Sequence, residues 1–490
     1  MLSHTLNGGW VGDFWHHGAA VHELAKHPLA PRHSYFDVDA ADEFYSPYAL
    51  AVAVGSRLTG VSAVTALAAA GLINLLLLVL GLRLWLLRSF GDEATPFYAL
   101  LFTLLLWGAG PWQWSGFLHL RALGPVLPYP STFATALMFY LLALQASCNV
   151  WPNARRMSLM VLMGATLLLT HPPTALSGFA ALGAFALGGD KGEVKKRLAA
   201  AAAVACLAAV LACLWPYYSF LELIGSRGEL YNYGNRWMYG LGRPAGLIEA
   251  ARQVLAPNWP ALLGLPLLMF RLRRKRLDPL AITFAVLAGL YAWGALSGRW
   301  ALGRVIPGMV LMLHLALALW AVDLEKSVSG GKGPRLPSLL AALALGAVLV
   351  FSALGFTGAV KGYLPGASTS YYKGFSVLDD YIGDYDVVVA DRRSSNALPA
   401  FAGKVVAAGS REVPFVFIED QQERGLDIER FFQPMAREEF RRKVIARYGA
   451  RYLLINRASL RFAPDALNRL WSLGETVYSS DDLILIDLKG

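Results

Sequence analysis

Ten apolar runs separated by short polar loops dominate the sequence between residues 61 and 360. An apolar run of about 17 to 25 residues is long enough to cross the hydrocarbon core of a bilayer as a helix. We predict spans near 61–84, 96–110, 130–148, 157–170, 173–189, 197–217, 256–271, 279–297, 304–323 and 336–359. The two short runs that flank His171 are alternatively one kinked hairpin. The pattern predicts a polytopic α-helical membrane protein with about 10–11 transmembrane helices.

Charged residues make up 16% of the chain and the mean hydropathy is +0.44, whereas a soluble domain carries about 25% charged residues. The charge deficit lies in the apolar region. We therefore expect three parts: residues 1–60 as an external first loop with interfacial helices, residues 61–364 as the transmembrane domain, and residues 365–490 as a soluble extracytoplasmic domain. Residues 46–60 are too short to span and suit an interfacial or re-entrant helix.

The basic residues explain the net charge of +10 without a nucleic-acid partner. Dense Lys/Arg clusters occur only in alternate loops, a pattern that marks those loops as cytoplasmic. They lie at residues 83–88, 155–156, 191–197, 271–276 and 326–335. We expect a multi-pass protein of the cell (inner or plasma) membrane, with its N-terminal loop and C-terminal domain both extracytoplasmic.

The C-terminal part alternates short apolar runs with an amphipathic helix. Residues 385–390, 404–408, 451–455 and 483–487 are predicted strands, and residues 437–448 form the predicted helix. Strands that alternate with helices indicate a small α/β domain. This region has no phosphate-binding glycine-rich loop.

The polar segment ahead of the apolar region carries an acid and clustered histidines. Residues 12–17 read Gly-Asp-Phe-Trp-His-His, and five of the nine histidines lie between His16 and His33. Asp13 precedes a predicted helix, so it is either a helix N-cap or a reactive carboxylate. No histidine pair has the i, i+4 spacing of a helical zinc site. We expect no cofactor, and a bound divalent metal is the less favoured alternative.

Three short motifs carry a resemblance to a known family. They are the segment Gly12–His17, the turn Thr170–Pro173 (Thr-His-Pro-Pro), and the segment Gly303–Gly308 (Gly-Arg-Val-Ile-Pro-Gly). With the layout of the chain over nearly its whole length, they resemble the glycosyltransferase C superfamily, which includes protein O-mannosyltransferases and aminoarabinose transferases. The family places a span before its first-loop acid, and no apolar run precedes Asp13. We expect either that a span was lost through a late start at Met1 or that the short segment is translocated unaided.

The resemblance implies an enzyme that transfers a hexose or pentose from a polyprenyl-phosphate donor to an envelope acceptor on the outer face. Asp13 matches the family's first-loop acid and is assigned as the general base. Glu43 is the candidate second acid, ranked ahead of Asp42, and solvated loop charge is the alternative reading of both. The expected partners are the lipid-linked donor, membrane lipid and an acceptor that the sequence does not identify.

Five further residues are candidates for binding the substrate, each with a simpler alternative. His16 and His17 follow Asp13 closely, and either suits a leaving phosphate or the orientation of the base. Arg304 can give a phosphate two aligned hydrogen bonds, although interfacial snorkelling also explains it. His171 is either a site residue or a solvated turn residue. Arg236 lies in an aromatic-rich loop, residues 218–255, that suits a sugar or an interfacial aromatic belt.

Two rival functions remain open from the sequence. One is a transporter or flippase of lipid-linked glycans, and the other is a non-catalytic envelope assembly protein. Transporters place ionisable residues near the bilayer midplane. The predicted spans here are nearly free of acids, which favours an enzyme acting at the membrane surface.

Overall fold

The computed structural model describes residues 13–107, 115–148, 150–188, 192–225, 236–239, 258–275, 277–330, 336–362, 372, 374–408, 415–459 and 464–489. In these residues the helices are α1 Phe14–Lys26, α2 Pro47–Thr59, α3 Ala63–Phe90, α4 Thr95–Leu105, α5 Leu120–Val126, α6 Pro130–Ala146, α7 Ala154–Thr170, α8 Pro172–Leu187, α9 Val194–Cys213, α10 Phe220–Ile224, α11 Gly264–Arg274, α12 Pro279–Ser297, α13 Ile306–Ser329, α14 Leu336–Gly362, α15 Arg392–Ala397, α16 Gln421–Phe431, α17 Glu438–Tyr448 and α18 Pro464–Trp471. The strands are β1 Val387–Ala390, β2 Lys404–Val405, β3 Ala450–Asn456, β4 Glu475–Ser479 and β5 Leu483–Asp487.

The predicted apolar runs are helical, which confirms a polytopic helical architecture. Among the described residues, four helical segments are long and apolar enough to cross a membrane singly: α3, α9, α12 and Trp300–Ser329. The pair α5 and α6 qualifies together but bends by 108°, at a break of Leu127–Tyr129. The chain is thus a multi-pass membrane protein, and the expected number of spans stays a prediction because α4 and α8 are shorter apolar helices.

The chain divides into two compact units. The first, here called the membrane unit, comprises residues 1–5, 70–215 and 232–365. The second, here called the polar unit, comprises residues 6–69, 216–231 and 366–490. The N-terminal loop and the C-terminal α/β region, which the sequence suggested as separate parts, therefore share one unit.

Helices of the membrane unit begin at prolines and interlock through large aromatic side chains. Pro130, Pro172 and Pro279 occupy first-turn positions, where the missing N–H of proline costs no hydrogen bond. Inside the unit, Trp85 of α3 stacks on Phe139 of α6 with ring centroids 5.4 Å apart. Such a stack buries much apolar area and fixes the distance between the two helices.

The polar unit is built on a five-stranded sheet of order β2-β1-β3-β5-β4. β1 pairs in parallel with β2 and β3, and β5 pairs antiparallel with β3 and β4. β1 is buried throughout and β5 is buried except at Asp487, as expected for strands covered on both faces. The predicted strands and the helix at residues 437–448 are present. β4 was not predicted, because its mostly exposed Glu-Thr-Val-Tyr-Ser sequence lacks an apolar run.

The N-terminal segment packs into this sheet unit. Gly18 of α1 approaches the 3₁₀ helix Leu398–Ala400 so closely that a Cβ at residue 18 would lie 2.9 Å from the Cβ of Ala400. The Tyr35 carbonyl accepts a hydrogen bond of 2.8 Å from the N–H of Val405, next to the sheet edge. Residues separated by more than 350 positions in sequence thus share one core.

A buried ion pair joins the two ends of the chain. The Lys404 Nζ of β2 lies 2.7 Å from Glu23 Oε2 of α1, and the two side chains are 2% and 4% exposed. Lys404 also donates to the carbonyls of His33 and Ser34 at 2.9 and 3.3 Å, and Glu23 Oε1 accepts from the Arg32 N–H. Burial lowers the pKa of Lys404. A buried charge with this many partners is costly to leave alone.

We predict that Lys404→Met destabilises the polar unit by about 3–5 kcal/mol, because Glu23 is left as an unpaired buried charge. Adding Glu23→Gln to Lys404→Met removes that charge and restores at least about half of the loss. The measurement is amide hydrogen exchange of β1 and β2 in the purified full chain in detergent.

The matched control is Glu438→Gln, which breaks an ion pair with Arg442 whose side chains are 57% and 60% exposed. Such surface pairs contribute less than about 1 kcal/mol. Equal effects of Lys404→Met and Glu438→Gln would show that the buried pair does not hold the unit together.

Candidate functional site

Asp13 sits at the N-terminus of α1 with its carboxylate outside the capping arrangement. Its carbonyl accepts hydrogen bonds from the N–H groups of His16 and His17 at 3.1 and 3.2 Å. Its side chain makes no capping hydrogen bond and is 31% exposed. Asp13 therefore occupies the N-cap position, one of the two roles that the sequence suggested, but it caps the helix through its backbone and not through its carboxylate. The carboxylate stays accessible for a proton acceptor's role.

His17 lies one turn after Asp13 on the same helix face. Its Nε2 is 3.9 Å from Asp13 Oδ2, beyond hydrogen-bond distance, and its side chain is 12% exposed. Burial lowers the pKa of His17, which favours the neutral imidazole. A neutral ring beside the carboxylate adds a polar group without a positive charge.

His16 points to the opposite, interior side of the helix. Its ring lies 5.0 to 5.2 Å from the rings of Tyr35, Phe44 and Phe415 and is 3% exposed. Burial lowers its pKa to about 4. Neither ring nitrogen has a hydrogen-bond partner among the described residues. The geometry makes His16 a packing residue of the polar unit rather than a group that reaches the carboxylate of Asp13.

The two neighbouring acids Asp42 and Glu43 differ in their surroundings. Asp42 is fully buried and accepts hydrogen bonds from the N–H and hydroxyl of Ser34 and from the N–H of Phe44. Glu43 accepts one bond of 3.0 Å from the Val416 N–H, and its Oε2 has no partner among the described residues. Burial, and then the charge of Asp42, raise the pKa of Glu43 to about 8. Glu43 therefore holds a proton at neutral pH and is suited to donate one.

The other sequence candidates belong to the membrane unit. His171 lies between α7 and α8, and its Nδ1 is 2.7 Å from the Thr174 hydroxyl. Arg304 lies in the 3₁₀ helix Trp300–Val305, which packs against α8. Arg236 begins the 3₁₀ helix Arg236–Tyr239. The side chain of Arg236 and most of the loop 218–255 lie outside the described residues, as does Gly12.

Tyr218 is a candidate site residue that sequence reasoning missed. It is 4% exposed, packs near Phe417, and has its pKa raised by burial and then by the charges of Glu43 and Asp42. The adjacent Tyr217 donates to the Pro28 carbonyl at 2.6 Å. Two tyrosines directly after an apolar run were the available signal, but only the folded structure shows that Tyr218 lies close enough to the two acids for their charges to act on it.

Within the described ranges, no group of three or more His, Cys, Asp or Glu side chains is arranged to hold a metal ion. The histidines of the N-terminal segment are dispersed among aromatic rings. His33 illustrates this: it is fully buried, its Nδ1 accepts from the Tyr35 N–H, and its ring packs on Phe36.

The fold expected from the family resemblance is confirmed by the likeness of the structure to a solved membrane protein. The structure is similar to that of ArnT from Cupriavidus metallidurans, with a TM-score of 0.51 and 14% identity over 97% of this chain and 93% of ArnT. It is also similar to the oligosaccharyltransferase of Archaeoglobus fulgidus, with a TM-score of 0.49 and 13% identity over 90% of this chain. This chain spans 65% of the length of that protein. No protein-family model and no curated protein matches the sequence.

We predict that His16→Phe makes the protein less sensitive to acid. The pKa of His16 falls from 6.5 to about 4 in the fold, so its contribution to stability is complete above pH 6.5 and is lost as the pH falls toward 4. A buried histidine of this kind lowers the free energy of unfolding by about 1.4 kcal/mol for each pH unit of acidification in this range. Calorimetric melting of the full chain in detergent should show a shallower acid slope in the variant, since Phe suits the aromatic surroundings.

Glu43→Gln should act with the opposite sign. The pKa of Glu43 rises from 4.5 to about 8, so its contribution to stability is present below pH 4.5 and is lost as the pH rises to 8. The same melting series should show that Glu43→Gln flattens the decline on the alkaline side. If melting of both variants depends on pH as melting of the wild type does, the lowered pKa of His16 and the raised pKa of Glu43 are contradicted.

Proposed function

We propose that this protein is an integral membrane glycosyltransferase that moves a sugar from a polyprenyl-phosphate donor to an acceptor at the extracytoplasmic face. The fold supports this class, since the similarity to ArnT covers 97% of the chain. The observation that carries the proposal is the state of Asp13: its carboxylate makes no capping hydrogen bond and is partly exposed. By the resemblance, this residue matches the family's first-loop acid.

The proposed step is a displacement at the anomeric carbon of the donor sugar. The acceptor hydroxyl forms the new C–O bond, the bond from the sugar to the phosphate breaks, and polyprenyl phosphate leaves with the electron pair. Asp13 accepts the proton of the attacking hydroxyl. General-base catalysis of this kind contributes about 100- to 10,000-fold.

His17 and Glu43 are assigned supporting roles around Asp13. Burial lowers the pKa of His17, whose Nε2 lies 3.9 Å from the Asp13 carboxylate, so the neutral imidazole does not form an ion pair that would weaken Asp13 as a base. Glu43, whose pKa is raised to about 8 by burial, carries a proton that can hydrogen-bond a sugar or phosphate oxygen. In this proposal Asp13 is the base and the protonated Glu43 is the hydrogen-bond donor.

Arg304 is the proposed ligand of the donor phosphate. Its guanidinium is planar and carries paired N–H donors whose geometry matches phosphate oxygens. The 3₁₀ helix that carries it leads into α13 through Pro307, so its backbone position is restricted. His171 is the accompanying candidate, because the helix that it precedes, α8, packs against this 3₁₀ helix.

The extracytoplasmic side is proposed from the distribution of basic residues. Arg88 lies in the last turn of α3, Arg155 and Arg156 lie in the first turn of α7, and Lys195 to Arg197 lie in the first turn of α9. The positive-inside rule assigns these helix ends to the cytoplasm. His171, at the other end of α7, then lies on the outer side.

We predict that Asp13→Asn lowers sugar transfer by at least about 100-fold, because the amide cannot accept the proton. The assay uses the full chain in vesicles with a panel of polyprenyl-phosphate hexoses and pentoses. Donor binding should change little, so the loss should appear in kcat.

Asp39→Asn is the matched control, since Asp39 is an exposed acid of the same segment. It should retain wild-type transfer. Full activity of Asp13→Asn at wild-type expression would remove Asp13 from the mechanism, whereas loss of activity in both variants would point to the segment's charge rather than to a single base.

A further inference from the structure

A cavity of about 190 Å³ lies in the membrane unit where five helix ends meet. It is lined from the last turns of α3, α6 and α8, from α7, and from the first turns of α9. A single water needs about 10–15 Å³ on the same measure. The cavity is therefore large enough for a small polar group with several non-hydrogen atoms.

The polar lining of this cavity carries several hydrogen-bond donors that have no partner among the described residues. Arg197 is 27% exposed, its Nη2 is 3.8 Å from Glu193, and its Nε is buried without a hydrogen-bond partner in the described part of the chain. The Ser89 hydroxyl is likewise buried without a hydrogen-bond partner among the described residues. Arg88 donates to the Ala143 carbonyl at 3.3 Å, and its guanidinium makes no other hydrogen bond within the described residues. Two guanidinium groups and a hydroxyl with spare donors suit a phosphate.

One acceptor accompanies these donors. Gln145 donates through Nε2 to the Leu182 carbonyl at 2.6 Å, while its buried Oε1 has no partner among the described residues. No acidic side chain is among the residues that the structure places in the lining. The remaining wall is apolar, with Phe185 and Met160 as its largest members. The cavity thus combines a cationic part, one acceptor and an apolar wall.

We propose that this cavity binds the headgroup of an anionic phospholipid that carries a hydroxyl group. Arg197 and Arg88 hold the phosphodiester oxygens, Ser89 donates a further hydrogen bond, and Gln145 Oε1 accepts from the headgroup hydroxyl. The glycerol and acyl parts run along the apolar wall. Basic pockets between transmembrane helices on the cytoplasmic side are known to take such headgroups. This site is independent of Asp13 and of the proposed transfer reaction.

The test is a thermal-shift titration of the purified, delipidated full chain in detergent with three probes. They are dihexanoylphosphatidylglycerol, which is anionic and has hydroxyls, dihexanoylphosphatidylcholine, which has neither feature, and inorganic phosphate. We expect saturable stabilisation by the glycerol lipid, and at least about tenfold weaker binding in Arg197→Gln, the loss expected for charge-assisted hydrogen bonds. Ser89→Ala, a smaller change, should weaken binding in the same direction.

Arg155→Gln is the matched control, because Arg155 is an exposed arginine at the start of α7 outside the cavity lining. It should retain affinity within about twofold, since exposed charges are screened. Equal weakening by Arg155→Gln and Arg197→Gln would show diffuse attraction and overturn the site. Equal binding of phosphatidylcholine would exclude recognition of the anionic hydroxylated headgroup, and stronger binding of inorganic phosphate would replace the lipid with a free ion.

Discussion

The contact between the Lys404 ammonium and the Glu23 carboxylate is the interaction on which the polar unit depends. Lys404 belongs to an edge strand of only two residues, too short to hold a helix by its own backbone hydrogen bonds. Its charge is almost completely buried and is satisfied by Glu23 and by two carbonyls of the N-terminal segment. Neither charge can leave the other without a large desolvation penalty. The first helix and the sheet are therefore held in one arrangement.

That arrangement determines what the N-terminal acid can do. The face of α1 that carries Trp15 and His16 is buried in aromatic contacts with the polar unit. This fixes the helix, and Asp13 at its N-cap position keeps a partly exposed carboxylate. An acid on a rigid helix end is better placed for proton transfer than one on a mobile loop. Structural support of Asp13 is thus the role that we assign to the histidine-rich segment as a whole.

Much of the fold was predictable from local pattern, and most of the site was not. Long apolar runs correctly predicted the helices, and short apolar runs such as Leu483–Asp487 correctly predicted the central strands. The pairing of Glu23 with Lys404 joins residues that are 381 positions apart, and no local pattern in a single sequence encodes it. Glu43 could not be predicted from local pattern either. In the sequence it resembles a solvated loop acid, and only the structure shows that Glu43 is buried and accepts a hydrogen bond from the Val416 N–H.

The most direct test of this account is a cross-link between the two ends of the chain. Gly18→Cys and Ala400→Cys place two thiols where a Cβ at residue 18 would lie 2.9 Å from the Cβ of residue 400. The Cβ separation in disulfides is about 3.5–4.5 Å, so the bond forms once the two backbones move apart by roughly half an ångström or more. The background carries serine at Cys148, Cys206 and Cys213. After mild oxidation in membranes, mass spectrometry should recover one disulfide-linked peptide pair containing residues 18 and 400. Recovery of both cysteines as separate, free thiols would contradict a polar unit built from both ends of the chain.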